Sequence, residues 1–108
     1  MDSLSMTEKR GANYVLYEPA GVINSYTFAD FRAKVYDSIK SENVVIDLAA
    51  VTGIDSSGIG VLMGAFNDGE DFGHALYLMR PSGIVYQALD ATGFTDTFHI
   101  IHSVTEVL

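Results

Sequence analysis

The sequence predicts an α/β domain, a mixed β-sheet of about four to five strands with helices packed against it. Three observations carry this. Short runs rich in β-branched and aromatic residues alternate with segments whose apolar residues recur every three or four positions. The run Val44-Val45-Ile46-Asp47-Leu48 lacks polar alternation, as a strand covered on both faces does. The chain has 108 residues, 48% of them hydrophobic, which suits one core and leaves little room for two. A single domain over residues 1–108 is therefore expected, without internal repeat, linker or low-complexity tract.

Asn13 to Ala20 reads as the first strand, with Pro19 and Gly21 expected to end it. From Tyr26 the period changes. Phe28, Phe31, Val35 and Ile39 fall on one helical face, Asp30, Arg32, Lys34 and Asp37 lie mostly between them, and Ser25 or Thr27 is the expected cap. The strand Val44–Leu48 follows. Asp55-Ser56-Ser57-Gly58 offers side-chain oxygens at a turn ahead of Ile59, Val61, Leu62, Met63, Ala65 and Phe66, which marks a helix start, and Asn67-Asp68-Gly69 is the expected stop. Ala75 to Met79 is a further strand. Pro81 fits the first turn of a helix through Ile84, Val85 and Leu89, stopping near Thr92-Gly93. Phe98 to Ile101 is the last strand, and the residues after it can begin a helix. Strand–helix alternation of this kind implies helices covering a sheet. The strand Val44–Leu48 and the helix Ile59–Phe66 are expected to be the best protected backbone.

Composition excludes several functions. Fourteen acidic and six basic residues give a formal charge of −8. That charge opposes binding to nucleic acid and anionic membranes and favours a protein partner with a basic or neutral face. With no cysteine there are no disulfides, thiolate nucleophiles or cysteine-ligated metals. The N-terminal residues Met1 to Met6 lack the basic and apolar regions of a secretory signal. The longest run free of charged or strongly polar residues is Gly58 to Phe66. A bilayer span needs roughly 20 residues, well beyond that run. A soluble, cytoplasmic protein is expected.

The sharpest local feature is Asp55-Ser56-Ser57-Gly58-Ile59-Gly60. It places two hydroxyls at a helix N-terminus, where free N–H groups and the helix dipole favour negative charge. A phosphate on either hydroxyl would be locally stabilised, and the two glycines would let another molecule approach the backbone. Capping by Asp55 or Ser56, with the glycines serving helix packing, explains the same residues. Other chemistries fit less well. Gly58-x-Gly60-x-x-x-Gly64 departs from the dinucleotide-binding spacing. A hydrolase elbow requires glycine two places before and two places after the serine; Ser56 has Ile54 and Gly58 there and Ser57 has Asp55 and Ile59, so neither qualifies. His99, His102 and Glu106 run from a strand into a loop and do not aim at one point, so no metal site is expected. His74 has no partner that the sequence identifies.

The stretch Val44 to Leu62, with Asp55-Ser56-Ser57-Gly58 at its centre, resembles the signature of STAS domains, most closely the stand-alone bacterial anti-sigma-factor antagonists. Two further elements resemble that family in order and spacing: Gly21-Val22-Ile23-Asn24-Ser25 before the first helix, and Ala91-Thr92-Gly93-Phe94 before the last strand. The resemblance implies a STAS-like fold and a protein with no catalytic residues or cofactor of its own. It implies phosphorylation at Ser56, with Ser57 the alternative that local chemistry does not separate. It further implies a partner surface of Asn24, Ser25, Asp55, Ser56, Ser57, Gly58, Ile59 and Gly60. The implied partners are an anti-sigma factor acting as an ATP-dependent serine kinase, bound only by the unphosphorylated form, and a PP2C-type phosphatase. STAS domains also serve as scaffolds in sensory or transporter complexes, a reading that needs no phosphate cycle. Binding of a small ligand at the glycine-rich turn is a third. The chain departs from the family pattern at Asn24, where many members carry Asp, and at Gly53, where a large apolar residue is common. Its last helix looks short.

Overall fold

The computed structural model describes residues 2–107; Met1 and Leu108, the ends of the expected domain, lie outside the described residues. Among the described residues six strands form one mixed sheet: β1 (Leu4–Arg10), β2 (Tyr14–Ile23), β3 (Asn43–Asp47), β4 (Val51–Ile54), β5 (Leu76–Met79) and β6 (His99–Ile101). The continuous order is β1-β2-β3-β5-β6, with β4 pairing β2 off this path. β1 and β2 pair antiparallel; the other pairs are parallel. The helices are α1 (Phe28–Ile39), α2 (Ser56–Phe72) and α3 (Gly83–Thr92), and two short 3-10 turns, Thr95–Thr97 and Val104–Glu106, flank β6. The expected α/β class with a mixed sheet is observed.

All three helices feed one core cluster. Phe31, Val35 and Ile39 of α1, Leu62 and Ala65 of α2, and Val85 and Leu89 of α3 pack with Val15, Val44, Ile46, Leu76 and Leu78 of the sheet. The opposite sheet face holds a smaller cluster, Leu16, Val45, Tyr77, Met79 and Ile101, against which Val104 and Val107 of the C-terminal segment pack. Val44, Val45 and Ile46 are buried on both sides of β3, as the unbroken apolar run predicts. Asp47, also buried, accepts the Ala49 N–H at 3.0 Å and pairs with the Arg80 guanidinium.

Several boundaries differ from the sequence expectation. β2 continues through Pro19 and Gly21 to Ile23. Pro19 lies between the last pair with β3, Tyr17↔Ile46, and the first with β4, Gly21↔Val51. There, that side of β2 has no ladder partner to lose. Gly21 adopts φ +116° at a register shift, and a Cβ there would lie 2.3 Å from the Ser3 carbonyl oxygen. Glycine therefore carries the strand past this point. β1 and β4 are strands that the sequence expectation does not include. Of β1, Leu4 and Met6 pack on the core, and β4 is a four-residue strand in which Gly53 pairs with Val22. Helix α2 does not stop at Asn67-Asp68-Gly69. It runs to Phe72 and ends at Gly73, whose φ of 77° is a left-handed cap. Gly69 instead serves packing, since a Cβ would sit 2.5 Å from the His74 carbonyl oxygen. Pro81 precedes the first turn of α3, which is capped by Ser82 accepting from the Val85 N–H. After β6 the chain forms a 3-10 turn, Val104–Glu106.

Candidate functional site

Strand β4 delivers the chain to α2 through Asp55, whose backbone is extended at φ −109 and ψ −170. An N-cap requires such a conformation. Its Oδ1 accepts the Ser57 N–H at 2.9 Å and the Gly58 N–H at 3.3 Å. These are two donors that the helix itself cannot satisfy. The capping reading of Asp55 is thus realised in the structure. The other carboxylate oxygen, Oδ2, accepts the Ser25 N–H at 3.3 Å. One side chain therefore ties the α2 N-terminus to the turn between β2 and α1.

That turn is held from within. Asn24 Oδ1 accepts the Tyr26 N–H at 2.9 Å and the Thr27 N–H at 3.2 Å. This is an Asx turn. Thr27 Oγ1 accepts the Asn24 N–H at 2.9 Å and donates to the Val22 carbonyl at 2.7 Å. Neither Ser25 nor Thr27 caps α1 through its side chain; Thr27 occupies the cap position but its hydroxyl is committed to Val22.

Ser56 and Ser57 are the first two residues of α2. Ser56 is exposed and Ser57 half-buried. The two glycines that follow differ. Gly58 is buried, and a Cβ would meet Ile54 Cγ1 at 2.6 Å and Ile23 Cγ2 at 2.9 Å, so its missing side chain is what lets α2 seat on the sheet. Gly60 is exposed, and a Cβ there would meet nothing within 4 Å. The fold gives no packing reason for glycine at 60.

Beside Ser56 lies an open groove of about 420 Å³. Ile59, Gly60 and Met63 of α2 line one wall, and Ala88, Ala91 and Thr92 of α3 the other, with Ile54, Asp55 and Ser56 at its end. Thr92 Oγ1 donates to the Leu89 carbonyl at 2.6 Å and accepts the Phe94 N–H at 3.1 Å, closing the α3 terminus. The structure thus gathers the separated sequence motifs: Asn24-Ser25 bonded to Asp55, Asp55 through Gly60 along the groove, and Ala91-Thr92 facing them. Sequence reasoning missed Met63 and Ala88, which lie on apolar helical faces indistinguishable from core.

His99 and Glu106 have other partners. The His99 ring packs on Tyr77, with centroids 5.6 Å apart. Glu106 Oε2 accepts the His102 N–H at 2.7 Å and the Ser103 N–H at 3.0 Å. These bonds favour the charged form and pull the carboxyl below its usual range. No group of three or more metal-ligating side chains occurs among the described residues. Among those residues no helix is long and apolar enough to cross a membrane.

Comparison with known proteins locates this arrangement. A model of the STAS domain family matches residues 3–107. A proposed anti-sigma factor antagonist from Thermotoga maritima superposes with a TM-score of 0.83 at 21% identity, over 94% of this chain and 89% of that one. The anti-sigma factor antagonist SpoIIAA in its unphosphorylated form superposes with a TM-score of 0.78 at 18% identity, over 94% and 91%. The Bacillus cell fate determinant SpoIIAA in its phosphorylated form gives 0.75 at 17%, over 94% and 95%. No curated protein matches the chain in sequence.

Proposed function

The chain belongs to the STAS domain family, and from that premise we propose that it is a single-domain, cytoplasmic anti-sigma-factor antagonist switched by phosphorylation of Ser56. The unphosphorylated form binds an anti-sigma factor, an ATP-dependent serine kinase, and so releases the sigma factor to regulate transcription. The kinase transfers the γ-phosphoryl group of ATP to Ser56 Oγ, with ADP leaving and the hydroxyl proton lost. A PP2C-type phosphatase hydrolyses the ester and restores binding. The chain is substrate and binding module, with no catalytic role and no cofactor. Its partner surface comprises Asn24, Ser25 and the segment Asp55 to Gly60.

One observation carries this reading: Ser56 is exposed at the first turn of α2, at the mouth of an apolar groove. A partner seated in that groove covers Ser56. Phosphorylation adds about 1.5–2 negative charges there. The positive end of the α2 dipole favours the phosphate in the unbound protein. Covering it at an interface strips its water, and Asp55 alongside adds like-charge repulsion. The phosphate is thus tolerated in the free state and opposed in the complex, and each ~1.4 kcal/mol of that difference weakens binding tenfold. SpoIIAA, which shares the fold, has known structures in both its unphosphorylated and its phosphorylated form.

The test is incubation of the protein with the serine kinase of its host and ATP, followed by mass-spectrometric mapping. Phosphate is expected on Ser56 and absent from Ser56→Ala. Phosphate on Ser57 moves the switch by one residue. Stable binding with no phosphate on either serine replaces this reading by the scaffold one, in which the same groove docks a sensory or transporter partner permanently.

A further inference from the structure

Among the described residues, the most exposed large apolar side chain lies beside this surface. Tyr26 is 92% exposed, whereas the next, Ile84, is at 53%. We infer that Tyr26 is the aromatic anchor by which the switch surface selects its partner, entering an apolar pocket of the kinase edged by an arginine; this rests on the switch reading above.

Three features support it. The backbone that carries the ring is fixed before any partner arrives, through the Asn24 and Thr27 bonds to its own N–H and its neighbours. The same turn is tied by the Ser25 N–H to Asp55, so Tyr26 and the phosphorylation site are held in one arrangement. A rigid, two-torsion aromatic on a fixed loop contributes large contact area at small entropy cost, which is why tyrosine is enriched among binding hot spots. Charge then narrows the pocket. Asn24 Nδ2 donates to Asp2 Oδ2 at 2.7 Å and the Ser25 N–H to Asp55, so two carboxylates are bonded to this turn. A ring on an acidic turn suits a guanidinium, which can lie over its face and answer the carboxylates. Arg32, a basic residue of this chain that does stack on an aromatic ring, is already placed over Tyr36 at 4.8 Å.

The probe is the serine kinase that modifies the wild-type protein, loaded with a non-hydrolysable ATP analogue and titrated by calorimetry. Tyr26→Ala should bind about thirtyfold more weakly with an unchanged melting temperature. Tyr26→Phe should stay within about threefold, since the ring and not the hydroxyl does the binding. Tyr26→Leu keeps apolar area without the π face and should bind about tenfold more weakly. Tyr26→Ala binding within about threefold of wild type, while Ser56→Asp still blocks, overturns the anchor and leaves the switch standing. Tyr26→Leu matching wild type overturns the arginine pocket. A melting temperature lowered by more than about 5 °C in Tyr26→Ala, on the order of 1 kcal/mol for a domain of this size, overturns the premise that the ring is free of the fold. Wild-type protein that binds no kinase overturns the switch reading and the anchor with it.

Discussion

Replacing Gly60 by alanine separates what the fold needs from what a partner needs. Gly60 is the fifth residue of α2, exposed, and a Cβ there touches nothing within 4 Å. The substitution neither makes nor breaks an internal contact, so helix propensity alone sets the effect. Alanine is favoured over glycine in a helix interior by about 0.8–1 kcal/mol. For a domain of this size that corresponds to a rise in melting temperature of about 4 °C. The same methyl protrudes from a wall of the groove, where a partner would approach the bare backbone. Gly60→Ala should therefore be more stable and bind the kinase more weakly, by about tenfold. Gly58→Ala is the control of opposite sign. It gains the same propensity but forces a Cβ to 2.6 Å from Ile54 Cγ1 and 2.9 Å from Ile23 Cγ2. Overpacking costs about 1–3 kcal/mol, so set against that propensity the net effect should be a loss of up to about 2 kcal/mol. Urea denaturation gives the stabilities and calorimetry the affinities. A Gly60→Ala protein that is less stable than wild type refutes the open-space argument. One that is more stable and binds equally well refutes close approach at the groove.

Other consequences are equally direct. Asp55→Ala should lose about 1 kcal/mol by urea denaturation through removal of the α2 cap. Asp55→Asn, which can still accept the Ser57 N–H, should lose much less. Burial pushes the Tyr17 phenol above its usual range, with the 2.6 Å bond to Ser38 Oγ opposing the shift. The folded state thus favours the neutral phenol. Its contribution is complete below the unfolded pKa of about 10 and is lost as pH rises through the higher folded value. Melting temperature should fall through that alkaline window in wild type and less steeply in Tyr17→Phe. In hydrogen exchange β3 and residues 59–66 of α2 should be the slowest amides, because β3 is central in the sheet and α2 packs on its buried face. Fast exchange there would contradict the core assignment.

Much of this was legible in the sequence because the decisive signals are local. Val44 to Asp47 announces a doubly covered strand with no polar alternation, and Asp55 before an apolar run announces a capped helix. What escaped was set by tertiary pairing. Leu4 and Met6 alternate too briefly to mark β1, which exists because β2 offers it an edge. Pro19 and Gly21 carry strong breaker chemistry, yet β2 passes through both: at Pro19 the pairing with β3 has ended and that with β4 has not begun, and at Gly21 a φ of +116° carries the register shift. Gly69 looks like a helix stop and is instead a close contact with the chain at His74. At the site, Asp55, Ser56 and the glycines stood out by type and spacing. The groove wall at Met63 and Ala88 did not, since an apolar residue on a helix gives no sign whether it faces the core or a cleft. The bond from Ser25 to Asp55 joins distant parts of the chain and exists only once the sheet has formed.

The central claim is that a phosphate on Ser56 controls association, and the affinity of the kinase for the two forms of this protein tests it most directly. Protein phosphorylated at Ser56 and purified away from the unmodified form should bind the nucleotide-loaded kinase at least about a hundredfold more weakly. Phosphatase treatment should restore the original affinity. Equal affinity of the two forms would contradict the account, whatever residues line the interface.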